Sequence, residues 1–120
     1  MTVASHLAGD GAAGILRGLE ATSHWAALEQ LAELGARPTL KRVVVRGKVI
    51  TAAGVSSGID MALTLAARIA GDDFAQTIQL GIEYDPQPPF HAGSPATAPP
   101  HIVEGLRERL RERLAGAEAR

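Results

Sequence analysis

Few side chains in this sequence are suited to catalysis, and cysteine is absent from all 120 residues. Without cysteine the chain has no disulfide, no thiolate metal site and no thiol nucleophile. The four histidines, which are common general bases and metal ligands, are His6, His24, His91 and His101. No two of these histidines show the i,i+4 spacing with which a helix binds a metal ion, and Asp10, four residues after His6, does not complete a ligand set. We therefore predict no metal site and no cofactor.

Two of these histidines lie beside residues that could work with them. Ser5 precedes His6, but adjacent side chains cannot easily point at each other, and the sequence has no Gly-x-Ser-x-Gly elbow. His24 is either a polar neighbour of an active site that moves protons near neutral pH, or a helix-start histidine packed beside Trp25. Because no thiol nucleophile is present, we favour the packing interpretation for His24.

A loop between glycines, Gly54–Gly58, follows a predicted strand and opens a predicted helix. Its backbone N–H groups could hold a carboxylate or a phosphate. The spacing is not that of a dinucleotide-binding or Walker loop, and tight helix–strand packing that only glycine permits is at least as good an explanation. Asp60 falls in the first turn of the helix, where the helix dipole alone favours a carboxylate.

The composition describes one domain without features typical of nucleic-acid or membrane proteins. An apolar fraction of 46% supports a core, and four aromatic residues make that core mostly aliphatic. A net charge of −1 gives no general attraction to nucleic acid or to an anionic membrane. No apolar run approaches the roughly 20 residues of a membrane span, and the start does not resemble a signal peptide. We predict a cytoplasmic protein that binds neither nucleic acid nor membrane.

The hydrophobic pattern predicts helices that alternate with short β segments, which is typical of an α/β sandwich. Only three or four strands are found, so the predicted sheet is incomplete. Residues 85–100 hold six of the seven prolines and are predicted to form an extended arm. The predicted helices are 11–17, 24–34, 58–70, 74–84 and 102–114, and the predicted β segments are 20–23, 42–45 and 49–52, the last two forming a hairpin through residues 46–48.

Three of these helices carry further expectations. The helix over 58–70 is apolar on nearly every side and is therefore predicted to be buried, with Ser56 or Ser57 as its N-cap. Asp72 or Asp73 is predicted to cap the following helix. The last helix has a narrow apolar stripe on a charged surface, and no aromatic residues interleave with its arginines, so we expect docking by the stripe and not nucleic-acid binding. The stripe consists of Ile102, Leu106, Leu110 and Leu114.

Four segments of the chain together carry a resemblance to a known family: Gly11–Gly18, Ala21–Trp25, Val49–Leu63 and Gln79–Phe90. They are similar to the ThiJ/PfpI superfamily, and within it to the isonitrile hydratases. The resemblance covers only about half of a family domain. It implies the C-terminal portion of a flavodoxin-like, class I glutamine amidotransferase-like α/β/α sandwich with an incomplete sheet.

The resemblance also implies where a catalytic site would lie. In the family, a cysteine on a sharp strand-to-helix turn forms a thiolate that attacks the isonitrile carbon, and water then releases an N-substituted formamide. Counting back from Gly11 without a gap places Ala4 at the cysteine and Ser5 at the next family position. The resemblance puts His24, Val55 and Ser56 beside that site. Since alanine is no nucleophile, we expect no catalytic residue in this chain and no turnover of a small-molecule substrate.

The domain organisation follows from the same comparison. Residues 1–10 match the family poorly and the match begins abruptly, which favours a truncated or degenerate chain. We predict one partial domain with a weakly matching start over 1–10, an α/β core over 11–84, a proline-rich arm over 85–100 and a C-terminal helix over 101–120. The resemblance implies a homodimer. The alternative function is a non-enzymatic dimerisation or interaction module, in which the arm and last helix dock on a partner or on a second copy.

Overall fold

A computed structural model describes residues 2–4 and 14–119. The chain divides into two compact units, Met1–Asp85 and Pro86–Arg120. All described strands belong to the first unit. The candidate residues Ser5, His6 and Asp10 lie outside the described residues.

The larger sheet has three strands in the order β1 (Thr2–Ala4), β5 (Val49–Ala52) and β4 (Val43–Arg46). Strand β1 runs parallel to β5, while β4 and β5 form the predicted antiparallel hairpin. Gly47 turns the hairpin at a φ of 57°, a left-handed conformation that glycine adopts without steric cost. The predicted hairpin is confirmed, with each strand boundary within one residue of expectation.

A second, two-stranded sheet pairs β2 (Glu20–Ala21) with β3 (Arg37–Pro38) in parallel. Between them lie a 3₁₀ turn over Trp25–Ala27 and α1 (Leu28–Glu33), which together confirm the helix predicted over 24–34. Strand β2 is shorter than the predicted segment 20–23. Strand β3 was not predicted, because its Arg-Pro pair has no β-branched or alternating pattern.

The helix predicted over 11–17 is wrong for its described part, because residues 14–18 form turns. Gly14 and Gly18 adopt φ values of 80° and 76°. An α-helix cannot pass through such left-handed residues. The Arg17 N–H donates to the Gly14 carbonyl at 3.3 Å, which closes one turn and brings Leu16 into the core.

Two longer helices follow the sheet: α2 (Ser57–Ala70) and α3 (Asp72–Gly81). The bounds of α2 confirm the prediction, but its expected burial on every side is wrong. Only Ser57 and Met61 of α2 are buried, whereas Ile59 and Ile69 are 40% and 74% exposed. The physical reason is that α2 packs on β5 and α3 with part of its circumference, and no described residue covers the rest.

The ends of α3 also differ from expectation. Gly71, at a φ of 93°, is its N-cap, so the prediction that Asp72 or Asp73 caps this helix is wrong. Both carboxylates instead lie in the first helical turn, where the helix dipole favours them. At the other end, Glu83 has a φ of 51° and ends the helix before the predicted Tyr84.

The core consists of two small aliphatic clusters, as the composition indicates. One joins β2 and α1 with the turn before β2, and the other joins β5 to α2. Val49 of β5 also packs against the first cluster, so both clusters hold β5, and the second holds it against α2. The first cluster is Leu16, Ala21, Leu31 and Ala36, and the second is Ile50, Ala52 and Met61.

The second unit consists of the arm and the last helix. Residues 86–99 contain no helix or strand, and α4 (Pro100–Glu118) is longer than the predicted 102–114. Proline suits its first turn because the missing N–H has no helical partner there. No described side chain of α4 is buried, and its charged surface carries the ion pairs Glu104–Arg107 and Glu108–Arg111. None of the described helices is long and apolar enough to cross a bilayer.

Candidate functional site

Strands β1 and β5 end side by side. Ala4 lies opposite Thr51 in the parallel register, one residue before the end of β5. Parallel strands present their carboxyl ends at the same edge of a sheet, which is where open α/β sheets bind ligands. The position that the resemblance gives to the nucleophile therefore lies at the edge expected for a binding site.

Two threonines connect the end of β2 to β5 at this edge. The backbone N–H of Thr22 donates to the Oγ1 of Thr51 at 3.0 Å, and each residue is only 1% exposed. A buried N–H without an acceptor would be costly, so the Thr51 hydroxyl fixes the chain that leads from β2 towards His24. The Thr22 Oγ1 is itself buried and has no hydrogen-bond partner among the described residues.

The loop between β5 and α2 forms a series of tight turns. The N–H groups of Ser57 and Gly58 donate to the carbonyls of Gly54 and Val55 at 3.0 and 3.2 Å. Since these groups already have acceptors inside the loop, they are not free to hold an anion, and the packing explanation for the glycines is favoured. Val55 is 95% exposed and Ser56 is exposed, so both lie at the surface of the loop.

His24 combines features of both of its interpretations. Its Nδ1 accepts the N–H of Ala26 at 3.3 Å and so caps the 3₁₀ turn, while its ring centroid lies 5.4 Å from that of Trp25. A Cβ added at Gly54 would lie 3.9 Å from the His24 Cδ2, so the imidazole also borders the loop after β5. A neutral imidazole that accepts at Nδ1 carries its proton at Nε2.

A charged network beside this loop was not found from the sequence. Asp60 of α2 accepts a hydrogen bond from the Nε of Arg42 and another, at 2.5 Å, from the Tyr84 hydroxyl. The Nη2 of Arg42 donates to the Oγ of Ser56 at 3.5 Å. Ser56 is the N-cap residue of α2, as predicted, but its hydroxyl bonds to this arginine and does not cap the helix.

The network changes the acid–base properties of its members. Burial raises the pKa of Asp60, but the hydrogen bonds from Tyr84 and Arg42 outweigh it, and the pKa of Asp60 is lowered overall. The hydrogen bond to Asp60 raises the pKa of Arg42. The hydrogen bonds from Tyr84 and Arg42 therefore favour the ionised form of Asp60 at neutral pH, in addition to its position in the first helical turn.

A second charged cluster forms around Glu20. Glu20 pairs with Arg46 at the end of β4 and, at 3.1 Å, with Lys41 before its start, and its hydrogen bond to Arg46 contributes most to lowering its pKa. Arg46 pairs with Val49 at the start of β5, so Arg46 lies at the far end of the hairpin from Ser56. Within the described part of the chain, no three histidine or acidic side chains are placed to hold a metal ion.

Comparison with known proteins identifies the family. The sequence profile of the DJ-1/PfpI family matches residues 10–68. Isonitrile hydratase of Pseudomonas putida is 52% identical over 99 residues, which cover 82% of this chain and 43% of that protein. The chain belongs to the DJ-1/PfpI family.

Solved structures agree with this assignment. The crystal structure of a ThiJ/PfpI family protein from Pseudomonas syringae shares 45% identity and a TM-score of 0.86, over 92% of this chain and 46% of that one. Schizosaccharomyces pombe DJ-1, at 24% identity and a TM-score of 0.53 over 62% of this chain and 40% of its own, shows the fold alone. The predicted flavodoxin-like α/β fold with an incomplete sheet is confirmed, and the chain spans less than half the length of these relatives.

Proposed function

We propose that this chain has the frame of an isonitrile-hydratase-like site but not its nucleophile, and that it does not hydrate isonitriles. The observation that carries the proposal is the register of β1 on β5, which puts Ala4 opposite Thr51 at the carboxyl edge. The identity to isonitrile hydratase of Pseudomonas putida supplies the reaction class. Hydration of an isonitrile in this manner requires a nucleophile that adds to the terminal carbon, and an alanine methyl group cannot do so.

Polar groups of the candidate edge already make hydrogen bonds within the chain. The Thr51 hydroxyl accepts the Thr22 N–H, and the Ser56 hydroxyl accepts from Arg42. The His24 Nδ1 accepts the Ala26 N–H. The exposed Ser56 hydroxyl can still donate its own proton, so a small polar molecule with an acceptor oxygen, such as a formamide, is the ligand class that we propose for this edge.

The test is an assay of the purified chain with para-nitrophenyl isocyanide. We expect a rate on the order of a millionfold below that of a full-length hydratase, as when a hydrolase loses its whole nucleophile. We also expect Ala4→Cys to restore nothing, because a thiol needs its strained turn and the partner carboxylate that the family supplies. Leu40→Cys, at an 82% exposed position, controls for non-specific thiol reactions. Formamide production by Ala4→Cys above this control would contradict the proposal.

A second candidate function is a non-enzymatic interaction module that forms a homodimer. It is favoured by the large apolar side chains that α2 and α3 leave exposed, among them Ile69 at 74% and Leu80 at 82%. Silence in the isocyanide assay together with a stable dimer in sedimentation would support the module. Turnover of the isocyanide would instead support an enzymatic function.

A further inference from the structure

We propose that Arg42 is a positioning residue for the candidate site and that it holds Ser56 and the loop after β5 in a binding-competent geometry. This inference rests on the proposed function, which puts a ligand at that edge. The loop, residues 53–56, borders both the carboxyl end of β5 and the imidazole of His24.

Arg42 contacts the loop at two points. Its backbone carbonyl accepts the N–H of Ala53 at 2.9 Å, and its Nη2 donates to the Ser56 Oγ at 3.5 Å. One residue therefore bonds to the first residue of the loop and to the N-cap residue of α2. Without these bonds, the loop would be held only by its own short-range turns and by packing.

The orientation of the guanidinium is fixed from its other side. Asp60 accepts from its Nε, and the Tyr84 hydroxyl donates to the second oxygen of the same carboxylate. The planar guanidinium can donate to Asp60 through Nε and to Ser56 through Nη2 at the same time. A lysine ammonium on its flexible stem has no such fixed fork, so Arg42→Lys retains the charge and loses the geometry.

Tyr84 is itself held at the end of α3. Its backbone N–H donates to the Gln79 carbonyl at 3.0 Å, and the Gln79 side chain donates to the Tyr84 carbonyl at 3.1 Å. The preceding Glu83 adopts a left-handed φ of 51°, which is unfavourable for a residue other than glycine. This conformation turns the chain so that the phenol reaches Asp60. The Asp60 carboxylate thus joins α2 to Arg42 and to the chain that follows α3.

The exposure of Arg42 distinguishes positioning from simple stabilisation. Its side chain is 51% exposed, and such surface ion pairs contribute little to the free energy of unfolding. Replacing it should therefore change the loop more than the whole fold. Arg46 is a matched control, because it is 40% exposed and paired with Glu20 but lies at the other end of β4.

The first measurement needs no ligand. Hydrogen exchange of the full chain should show protection of the Ser57 and Gly58 amides about threefold to tenfold lower in Arg42→Lys, as for one lost hydrogen bond. In Arg46→Lys the same amides should exchange as in the wild type. Equal protection in Arg42→Lys and wild type would overturn the inference.

The second measurement is a double-mutant cycle on the affinity for para-nitrophenyl formamide. Ser56→Ala should weaken binding by about threefold to tenfold in the wild type but hardly at all in Arg42→Lys, because the hydroxyl is then already misplaced. Additive effects would mean that Arg42 acts only through general stability and would overturn the inference. If the wild type binds no formamide while the exchange result holds, the positioning role stands and the proposed ligand is wrong.

Discussion

Side chains are buried at the carboxyl end of β5 but exposed on the outside of the α2–α3 helix pair. At the end of β5, Thr51 and Ala52 are 1% exposed, and Ser57 at the start of α2 is equally buried. The outside of the helix pair instead presents large apolar side chains to solvent. We call these the outer apolar residues: Ile59, Ile69, Phe74, Leu80 and Ile82, with exposures of 40%, 74%, 54%, 82% and 57%.

The difference separates a part of the first unit that satisfies its own buried groups from a part that leaves apolar side chains exposed. The frame around Thr51 is formed by neighbouring segments within the first unit, and its buried N–H groups have acceptors there. The outer apolar residues have no such cover among the described residues. Exposed apolar side chains mark a protein–protein contact where they form a contiguous patch. A folded frame for the candidate site and exposed apolar side chains therefore coexist in one unit.

The sharpest test of this contrast compares two isoleucines. Ile50 is fully buried in β5, and Ile69 is 74% exposed on α2. We expect Ile50→Ala to lower the free energy of unfolding by about 2–5 kcal/mol through the cavity it leaves. Ile69→Ala should change it by less than about 0.5 kcal/mol. Urea unfolding of both variants at low protein concentration measures the difference.

The same two variants can also contradict this contrast between buried and exposed side chains. A large loss of stability in Ile69→Ala at low concentration would mean that the outside of α2 is covered within the folded chain. A loss that grows with protein concentration would instead show that a second copy covers it, because association stabilises the folded state by mass action.

Hydroxyl groups give the next largest expected effect. Thr51→Val retains the shape of the side chain but removes the acceptor of the buried Thr22 N–H, which should cost about 1–3 kcal/mol. Thr77→Val is the matched control, since its hydroxyl donates to the Asp73 carbonyl on an exposed part of α3. Chemical denaturation of the two variants compares them. Equal losses would show that the site frame is no more constrained than the helix surface.

Much of this fold was predictable because the signals were local. The β-branched runs of β4 and β5 around Gly47 predicted the hairpin, and the apolar stretch between Gly58 and Gly71 predicted the bounds of α2. The burial of α2 was not predictable from its composition. A helix that is apolar on every side is expected to be buried by other residues, but its own sequence does not say which residues these are.

The resemblance predicts Ala4, His24 and Ser56 at one candidate site, and this stays a prediction. The residues that fix the loop at this edge are set by contacts between distant parts of the chain. Arg42 and Asp60 are 18 residues apart, and Asp60 and Tyr84 are 24 apart. A helix dipole alone explained Asp60 adequately, so no local pattern indicated its two partners.

Self-association tests the exposed part of this contrast, the outer apolar residues. We expect the chain to associate at micromolar concentrations through the outer apolar residues. Leu80→Lys should weaken association by about tenfold to a hundredfold, since burying a leucine is worth roughly 1.5–3 kcal/mol. Sedimentation velocity over a concentration series measures this effect, with Glu108→Lys on α4 as the charge control. A monomer in the wild type at every concentration would mean that the exposed side chains mark no interface.

The smallest expected effect concerns the phenol that supports Asp60. Tyr84→Phe removes the 2.5 Å hydrogen bond to the Asp60 carboxylate and should cost about 1 kcal/mol at neutral pH. The pKa of folded Asp60 is below its ordinary value, so the unfolded chain protonates first, and this stabilisation is lost as the pH falls through the folded pKa. The difference between wild type and Tyr84→Phe should therefore narrow below about pH 4. Urea unfolding at pH 7 and in this acidic range checks it, and an equal difference at both would show that the phenol acts by packing and not through the charge of Asp60.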